Sequence, residues 1–339
     1  MCSSTSFVIQ IANLFIEICG FNDEDSACLG GLKRVFHHHE VICETEIVHR
    51  IVVCPPRQFE LPNDAVLQWV APCLGVAGLV PRRMSFFSRI FSRNREIPLY
   101  SGTCNVNCYR DSLHHVEYFI PEYGKWRVEH YPEEHITYAY SDQGSEMSDG
   151  LPSMLINVIG SQYGCYLIFA SCVAVDGEAL LFTGNSGEGK STLCMELVKQ
   201  GAAYIGDDLV LLYMDGEQAM VGSLLFPLKY YADKGQVHKK KMDMVSLLPQ
   251  RPPLNVPLKS VYLLQRDDTC VAESYLKPLR SGVMIEKLLK RTNKANTNPD
   301  ARHFVSTLSS VCETVSCYCL SYGDSNTINL SFFGNNDQR

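Results

Sequence analysis

The stretch that decides the fold runs from Ala179 to Asp215 and reads ALLFTGNSGEGKSTLCMELVKQGAAYIGDDLVLLYMD. It opens with an apolar strand, Ala179–Phe182, and continues into Gly184–Ser191, which satisfies the pattern G-x-x-x-x-G-K-[ST]. The helix predicted next, Ser191–Gln200, ends at Gly201, a residue type favoured just past a helix C-terminus. A strand, a glycine-rich loop and a helix in this order predict a phosphate-binding P-loop.

The residue types of this loop suit it to hold the phosphates of a nucleotide. Glycine permits backbone angles that a Cβ atom would block, so successive N–H groups can surround phosphate oxygens. Lys190 supplies a positive charge for the β- and γ-phosphates, and the Ser191 hydroxyl suits Mg²⁺ ligation. We therefore predict ATP and Mg²⁺ as ligands of Gly184, Asn185, Ser186, Gly187, Glu188, Gly189, Lys190, Ser191 and Thr192.

Two adjacent carboxylates, Asp207 and Asp208, follow the next predicted strand, Ala202–Ile205, and lie 17 positions after Lys190. At the end of a strand one βαβ step away, they would project towards the phosphate loop. One carboxylate can hold Mg²⁺ while the other takes a proton from an attacking hydroxyl. The alternative is a solvated acidic turn, because Asp is common in turns.

Residues 184–192, followed by Ile205-Gly206-Asp207-Asp208, resemble the HPr kinase/phosphorylase family, whose fold is shared with phosphoenolpyruvate carboxykinase. The resemblance implies an α/β nucleotide-binding domain with a P-loop in the C-terminal part of the chain. It implies that Lys190 and Asp207 are catalytic, with Asp207 as the general base. It also implies that Ser191, or Thr192 in its place, contacts the metal, and that Asp208 either binds the metal or orients the base. It also implies transfer of the γ-phosphoryl group of ATP to a serine of a protein or peptide, or to a small hydroxyl compound.

One position departs from the pattern of this family. Members usually carry a His in the strand before the loop, and alignment on Asp176-Gly177 and Gly184 places Phe169 there. A phenyl ring can neither accept a proton nor hydrogen bond a phosphate oxygen. The alternative function is therefore a nucleotide-binding sensor or pseudokinase module with weak or no transfer.

An arginine often stabilises the transition state of phosphoryl transfer. Arg266, Arg280 and Arg291 are candidates, and the sequence does not choose among them. An NKxD string, expected in a switch-type GTPase, is absent, since the nearest string, Asn293-Lys294-Ala295-Asn296, lacks the Asp.

The first part of the chain differs in texture from the rest. Short runs of alternating apolar and polar residues, rich in β-branched and aromatic types, predict half-buried strands. These runs are Phe7–Ile11, Glu46–Val53, His115–Ile120, Lys125–Glu129 and His135–Tyr140. The polar stretch Ser141–Gly150 predicts a boundary between a β-rich α+β domain at 1–150, which would help choose the acceptor, and the nucleotide-binding domain at 151–339.

Further elements are predicted from apolar runs. Leu151–Ile159 and Ser281–Arg291 are predicted to be helices, and Cys165–Val175 and Cys312–Cys319 buried strands. Three consecutive histidines, His37–His39, are predicted to have a structural or surface role, because adjacent side chains diverge and rarely share one metal ion.

Composition restricts location and partners. A formal net charge of −7 over 339 residues argues against nucleic acid as the main partner. The N-terminus lacks the charge and cleavage pattern of an export signal, and no apolar run reaches the roughly 20 residues of a membrane span. We therefore predict a cytoplasmic protein with reduced cysteines and no transmembrane segment. The oligomeric state stays open, with a homo-oligomer as one alternative.

Overall fold

The computed structural model describes the chain over the ranges 6–21, 27–42, 46–55, 60–72, 105–111, 115–121, 126–141, 150–185, 187–225, 228–230, 240–242, 245, 248, 251–266, 274–291, 301–323 and 328–334. The chain divides into two compact units, each built from three stretches of sequence. Unit 1 comprises Met1–Phe7, Glu17–Arg34 and His49–Val158, and unit 2 comprises Val8–Ile16, Val35–Val48 and Ile159–Arg339. Most of the predicted boundary stretch, 142–149, lies outside the described residues, and the functional division at 150 and 151 stays a prediction.

The first sheet has eight strands in the order β1-β2-β3-β8-β7-β6-β5-β4. Their bounds are β1 Phe7–Ile11, β2 Leu14–Gly20, β3 His49–Cys54, β4 Val66–Pro72, β5 Asn105–Arg110, β6 Glu117–Pro121, β7 Trp126–Tyr131 and β8 Ile136–Ser141. Strands β4 to β8 pair antiparallel with their neighbours, whereas β3 pairs parallel with β8. All five runs of alternating residues that predict strands overlap strands of this sheet.

The second sheet has nine strands and lies in unit 2. Its strands are β9 Tyr166–Ile168, β10 Ser171–Val175, β11 Glu178–Thr183, β12 Ala203–Gly206, β13 Val210–Asp215, β14 Gln218–Gly222, β17 Asn255–Arg266, β18 Tyr275–Pro278 and β19 Ser316–Tyr322. The order is β12-β10-β11-β17-β14-β13-β9, and β19 pairs with both β17 and β18. Two short strands, β15 Leu228–Tyr230 and β16 Lys240–Met242, pair separately.

Six helices are described: α1 Ala27–Phe36, α2 Gly150–Gln162, α3 Lys190–Lys199, α4 Ser281–Arg291, α5 Ala301–Thr314 and α6 Ser331–Gly334. The predicted helices at 151–159, 191–200 and 281–291 correspond to α2, α3 and α4. Within the described ranges, no helix combines the length and the apolar character that a membrane crossing requires.

Helices cover both faces of the second sheet, because alternate strand residues point to opposite sides. On one face, Leu180 packs in a buried cluster with Leu193 of α3. On the other face, Leu181 packs with Met284 of α4 and Phe304 of α5. The protein is therefore mixed α/β, and the ends of the strands remain at the edge where the phosphate loop lies.

The prediction of one buried strand over Cys165–Val175 is wrong, because the run contains two strands, β9 and β10. Ile168 pairs with Val210 of β13, whereas Cys172 pairs with Gly206 of β12. The chain leaves one partner strand and joins another at Phe169 and Ala170, which belong to neither strand.

The prediction that Cys312–Cys319 is one strand is also wrong. Cys312 lies in α5, and only the second half of the stretch belongs to β19. The two parts share one core, because Cys312 and Cys317 are both buried in the cluster that contains Phe304 and Leu308.

Candidate active site

The loop at 184–189 connects β11 to α3 within unit 2. Gly189 takes a φ of 82°, and the N–H of Leu193 donates to its carbonyl oxygen at 2.8 Å, which begins the helix. Among the described residues, no side chain caps this helix N-terminus. The first N–H groups and the positive end of the helix dipole therefore face the loop. Ser186, which belongs to the predicted set, lies outside the described residues.

Polar groups of the loop hydrogen bond within the loop itself. Lys190 Nζ donates to the carbonyl oxygens of Gly184 at 3.1 Å and Asn185 at 3.0 Å. The Asn185 side-chain amide donates to a Glu188 carboxylate oxygen at 2.6 Å. The ammonium group of Lys190 thus lies over the loop, a position from which it can reach phosphate oxygens held there.

Tyr322, the last residue of β19, supports the loop through its hydroxyl, which donates to the carbonyl oxygen of Glu188. A Cβ atom placed on Gly189 would lie 2.5 Å from that hydroxyl oxygen. The close approach and the left-handed backbone together require glycine at this position.

The two aspartates follow β12, but β12 is not the direct neighbour of β11 that a simple βαβ step predicts. Strand β10 lies between them and pairs antiparallel with both. The carboxyl ends of β11 and β12 therefore lie at the same edge of the sheet as the beginning of β10. Ser171 opens β10 at this edge and meets Asp207, which follows Gly206 at the end of β12.

Asp207 is 7% exposed, and its Oδ1 accepts a hydrogen bond from the Ser171 hydroxyl. The Ser191 side chain of α3 and the backbone of Asp208 also favour the charged form of this carboxylate. The other oxygen, Oδ2, is buried and has no hydrogen-bond partner by distance and angle among the described residues. Burial raises the pKa of Asp207, as does the charge of Asp208, while the bonds from Ser171 and Ser191 oppose the rise in pKa.

Asp208 turns the chain from β12 into β13. Its φ of 64° lies in the left-handed region, which Asp and Asn visit more readily than most residues. It is half-buried, and its negative charge acts on Asp207 and on the buried Tyr204. The pair therefore consists of one enclosed carboxylate and one that is partly open to solvent.

The arrangement fits a magnesium ion bound jointly with a nucleotide. Mg²⁺ prefers oxygen ligands and is usually held by one or two carboxylates, substrate phosphates and water. The Ser191 hydroxyl at the start of α3 and the half-buried carboxylate of Asp208 supply such oxygens at this edge. In the described part of the chain, no group of three or more His, Cys, Asp or Glu residues is arranged to hold a metal by itself.

Residues 166–230, which contain the loop and both aspartates, match the family model of the HPr Serine kinase C-terminal domain. This segment is HPr kinase-like. The HPr kinase/phosphorylase of Lactiplantibacillus plantarum is 48% identical over 50 residues, which are 15% of this chain and 16% of that protein. The HPr kinase/phosphorylase of Bacillus cereus is 34% identical over 82 residues, which are 24% of this chain and 26% of that protein. The resemblance predicted from the loop and the aspartates is thus confirmed for the segment.

The chain spans about a quarter or less of the length of these curated relatives. Among solved structures, the HPr(Ser) kinase/phosphatase from Coxiella burnetii matches with 13% identity and a TM-score of 0.30. That match covers 47% of this chain and 87% of the solved chain. The family-model match over residues 166–230 and the identities to the two curated relatives carry the assignment.

Phe169 lies in the HPr kinase-like segment at the break between β9 and β10. It is half-buried, and its carbonyl oxygen accepts a hydrogen bond from the Thr183 hydroxyl at 3.4 Å. Thr183 ends β11 and directly precedes the loop. The backbone at Phe169 thus contacts the edge that carries the site, while its side chain offers no proton acceptor.

The structure separates the candidate arginines. Arg266 ends β17, which runs parallel to β11, and pairs with Tyr322, so it lies at the loop edge of the sheet. Arg280 follows β18, whose last residue, Pro278, pairs with Tyr318 away from that edge. Arg291 is the last residue of α4. Of Arg266 and Arg280, only Arg266 is placed near the loop.

Two residues that the sequence analysis did not select belong to this site. Ser171 lies two positions after Phe169, so it reaches the same edge of the sheet. No motif marks Tyr322, because its contact with the loop depends on the pairing of β19 with β17.

The histidine run has a structural role, as predicted. His39 is buried, its Nδ1 bonds the Gln10 carbonyl at 3.1 Å, and the Leu225 N–H donates to its Nε2 at 3.1 Å. His37 is exposed, so these two side chains do not converge.

Proposed function

We propose that the protein is an ATP- and Mg²⁺-dependent kinase that transfers the γ-phosphoryl group to a hydroxyl, with a protein serine as the first choice of acceptor. The observation that carries the proposal is the buried Oδ2 of Asp207, which has no hydrogen-bond partner in the described part of the chain, on a carboxylate whose other oxygen accepts from Ser171. A free carboxylate oxygen beside a phosphate loop is placed to receive a proton from an attacking hydroxyl.

The nucleotide would be held by residues 184–192. The uncapped N–H groups at the start of α3 offer donors to phosphate oxygens, and the helix dipole favours their negative charge. Lys190 would exchange its two carbonyl contacts, Gly184 and Asn185, for the β- and γ-phosphates, which form stronger, charge-assisted hydrogen bonds.

Mg²⁺, when bound, would neutralise charge that develops on the phosphates. Ser191 and Asp208 are the proposed metal ligands, Asp208 directly or through water. Asp207 contacts Ser191 and would then stay next to the metal while serving as the base.

Asp207 would act as the general base. Its pKa is raised by burial and by Asp208, which makes the carboxylate a better proton acceptor than an exposed Asp. Arg266 at the loop edge would add positive charge on the leaving-group side.

The acceptor and the setting belong to the proposal as well. The relatives are named HPr kinase/phosphorylases, which favours a protein acceptor over a small compound. A cytoplasmic location, acceptor selection by residues 1–150 and the absence of a nucleic-acid partner are proposed on the sequence arguments alone.

A second candidate function, a nucleotide sensor with weak or no transfer, is favoured by Phe169. The side chain at this position cannot relay a proton, and the described contact of Phe169 with Thr183 uses only its backbone.

Incubation with γ-labelled ATP and a panel of serine-containing proteins and peptides tests both candidates. The native protein should bind ATP and label an acceptor, and Lys190→Ala should abolish labelling. Lys199→Ala is the matched control, because Lys199 lies on the same helix, is exposed and pairs only with Glu196 among its described partners. ATP binding without labelling of any acceptor supports the sensor. Labelling by Lys190→Ala at the native rate contradicts the kinase proposal.

A further inference from the structure

Ser171 lies where three strand ends meet. It opens β10, pairs with Phe182 of β11 and lies next to Cys172, which pairs with Gly206 of β12. Its side chain is fully buried, with 0% of the residue exposed. The hydroxyl is therefore held in a buried position, from which it contacts Asp207.

The bond between these two residues has a defined direction. An ionised carboxylate can only accept, so Ser171 Oγ donates its proton to Asp207 Oδ1. One carboxylate oxygen is then engaged by a buried donor, whereas Oδ2 has no hydrogen-bond partner by geometry among the described residues. A buried polar atom without a partner is costly unless a ligand or reacting group completes it.

We propose that Ser171 is a positioning residue for phosphoryl transfer: its hydroxyl holds Oδ1 of Asp207 so that Oδ2 is the oxygen that takes the acceptor's proton. The inference rests on the proposed kinase function and deepens it. It also assigns Ser171 a role that does not depend on the ring at position 169.

The proton and phosphoryl balance is simple. The acceptor O–H bond breaks, and its proton moves to Oδ2 of Asp207. A bond forms between the acceptor oxygen and the γ-phosphorus, and the bond from that phosphorus to the β-bridging oxygen breaks, releasing ADP. Ser171 keeps its own proton throughout, and Asp207 is left as a neutral acid that returns its proton to water.

Ser223 provides a matched control, because it is also buried, at 1% exposure. Its hydroxyl donates to the backbone carbonyl of Ile205 in β12, the strand that precedes Asp207. Ser223→Ala removes a comparable bond close to Asp207 without touching a carboxylate. A purely structural role of Ser171 predicts that the two alanine variants behave alike.

The experiment compares kcat and KM for ATP of the native protein, Ser171→Ala, Ser171→Thr and Ser223→Ala, with folding checked by thermal unfolding. We expect Ser171→Ala to lower kcat about ten-fold or more, the loss expected for one hydrogen bond to a charged group, with little change in KM for ATP. Ser171→Thr, which keeps the hydroxyl, should recover most of kcat, and Ser223→Ala should keep the native kcat.

A Ser171→Ala variant with the kcat of Ser223→Ala, or a Ser171→Thr variant no faster than Ser171→Ala, would overturn the positioning role while leaving the kinase function intact. Absence of transfer by the native protein itself would overturn the kinase function and the positioning role together.

Discussion

Tyr322 and Glu188 join the end of β19 to the phosphate loop, because the Tyr322 hydroxyl donates a hydrogen bond to the Glu188 carbonyl oxygen. Tyr322 is buried at 2% exposure, and its strand pairs with β17, which in turn pairs with β11 directly before the loop. The conformation of the loop thus depends on residues distant in sequence as well as on its own glycines.

Tyr322→Phe should loosen the loop. Loss of one hydrogen bond should lower the free energy of unfolding by about 1 kcal/mol and weaken ATP binding several-fold. Calorimetric titration with ATP and urea unfolding measure the two effects. Tyr318→Phe is the control, since Tyr318 lies on the same strand and its ring stacks on Tyr262. Equal ATP affinity in the two variants contradicts the support role.

Gly189→Ala should damage the loop more severely. Its new Cβ would lie 2.5 Å from the Tyr322 hydroxyl oxygen, and its φ of 82° is unfavourable for alanine. Gly216→Ala carries a similar backbone penalty at φ 58°, with no atom within 4 Å of the new Cβ. Both variants should lose about 1 kcal/mol of stability from the backbone, but only Gly189→Ala should lose ATP binding, more than about ten-fold. Adding Tyr322→Phe should restore part of that binding, and no restoration would argue against the steric explanation.

Unit 1 should lose stability in mild acid through two buried histidines. His49 Nε2 and His130 Nδ1 both bond the Thr137 hydroxyl, at 2.8 and 2.9 Å. Burial lowers the pKa of His49 from 6.5 to about 4 and that of His130 to about 3, with neighbouring histidines adding to the shift. The unfolded chain therefore binds more protons below pH 6.5, so stability is complete above that pH and falls as the pH drops towards 4.

Urea unfolding at pH 7.5 and pH 5 measures the effect. Each histidine should contribute a loss on the order of 2 kcal/mol between these values. His49→Gln and His130→Asn keep a nitrogen for Thr137 and should each reduce the difference, whereas His37→Gln, at an exposed position, should not. An unchanged difference in both variants would contradict the assignment.

Arg266→Ala should slow transfer much more than Arg280→Ala. Arg266 pairs with Tyr322 at the loop edge, whereas Arg280 follows the end of β18 that lies away from this edge. A cation near the transferred group should contribute about a hundred-fold or more to kcat, and removal of Arg280 should change kcat less than about two-fold. Steady-state kinetics with the labelled acceptor distinguish the two, and equal rates would remove Arg266 from the site.

The local motif could be predicted from sequence because its elements are determined locally. Glycine spacing, the apolar strand before it and the C-terminal Gly201 define β11, the loop and α3 within a few tens of residues. Gly201 takes a φ of 107°, as a residue just past a helix C-terminus commonly does.

The rest depends on pairing that a local pattern does not contain. Cys165–Val175 is apolar except for Ser171, so periodicity could not reveal that the chain changes partners at Phe169 and Ala170. For the same reason β10 could not be placed between β11 and β12, and the bond from Ser171 to Asp207 was not predicted.

The helical position of Cys312, which the sequence analysis placed in a strand, is indicated by the spacing of the apolar residues before it. Phe304, Leu308, Val311 and Cys312 recur at helical spacing, and all four are buried in one cluster. The helical spacing ends at Cys312, and alternation typical of a strand starts only at β19, from Ser316 onwards.

The most direct test of the central claim is single-turnover transfer from γ-labelled ATP by the native protein and by Asp207→Asn, at saturating ATP and with ATP binding measured in parallel. Asp215→Asn, at the exposed end of β13, is the control. The kinase proposal predicts that Asp207→Asn binds ATP about as tightly as the native protein and transfers at least about a hundred-fold more slowly, as expected for loss of a general base. Transfer by Asp207→Asn at the native rate would contradict it.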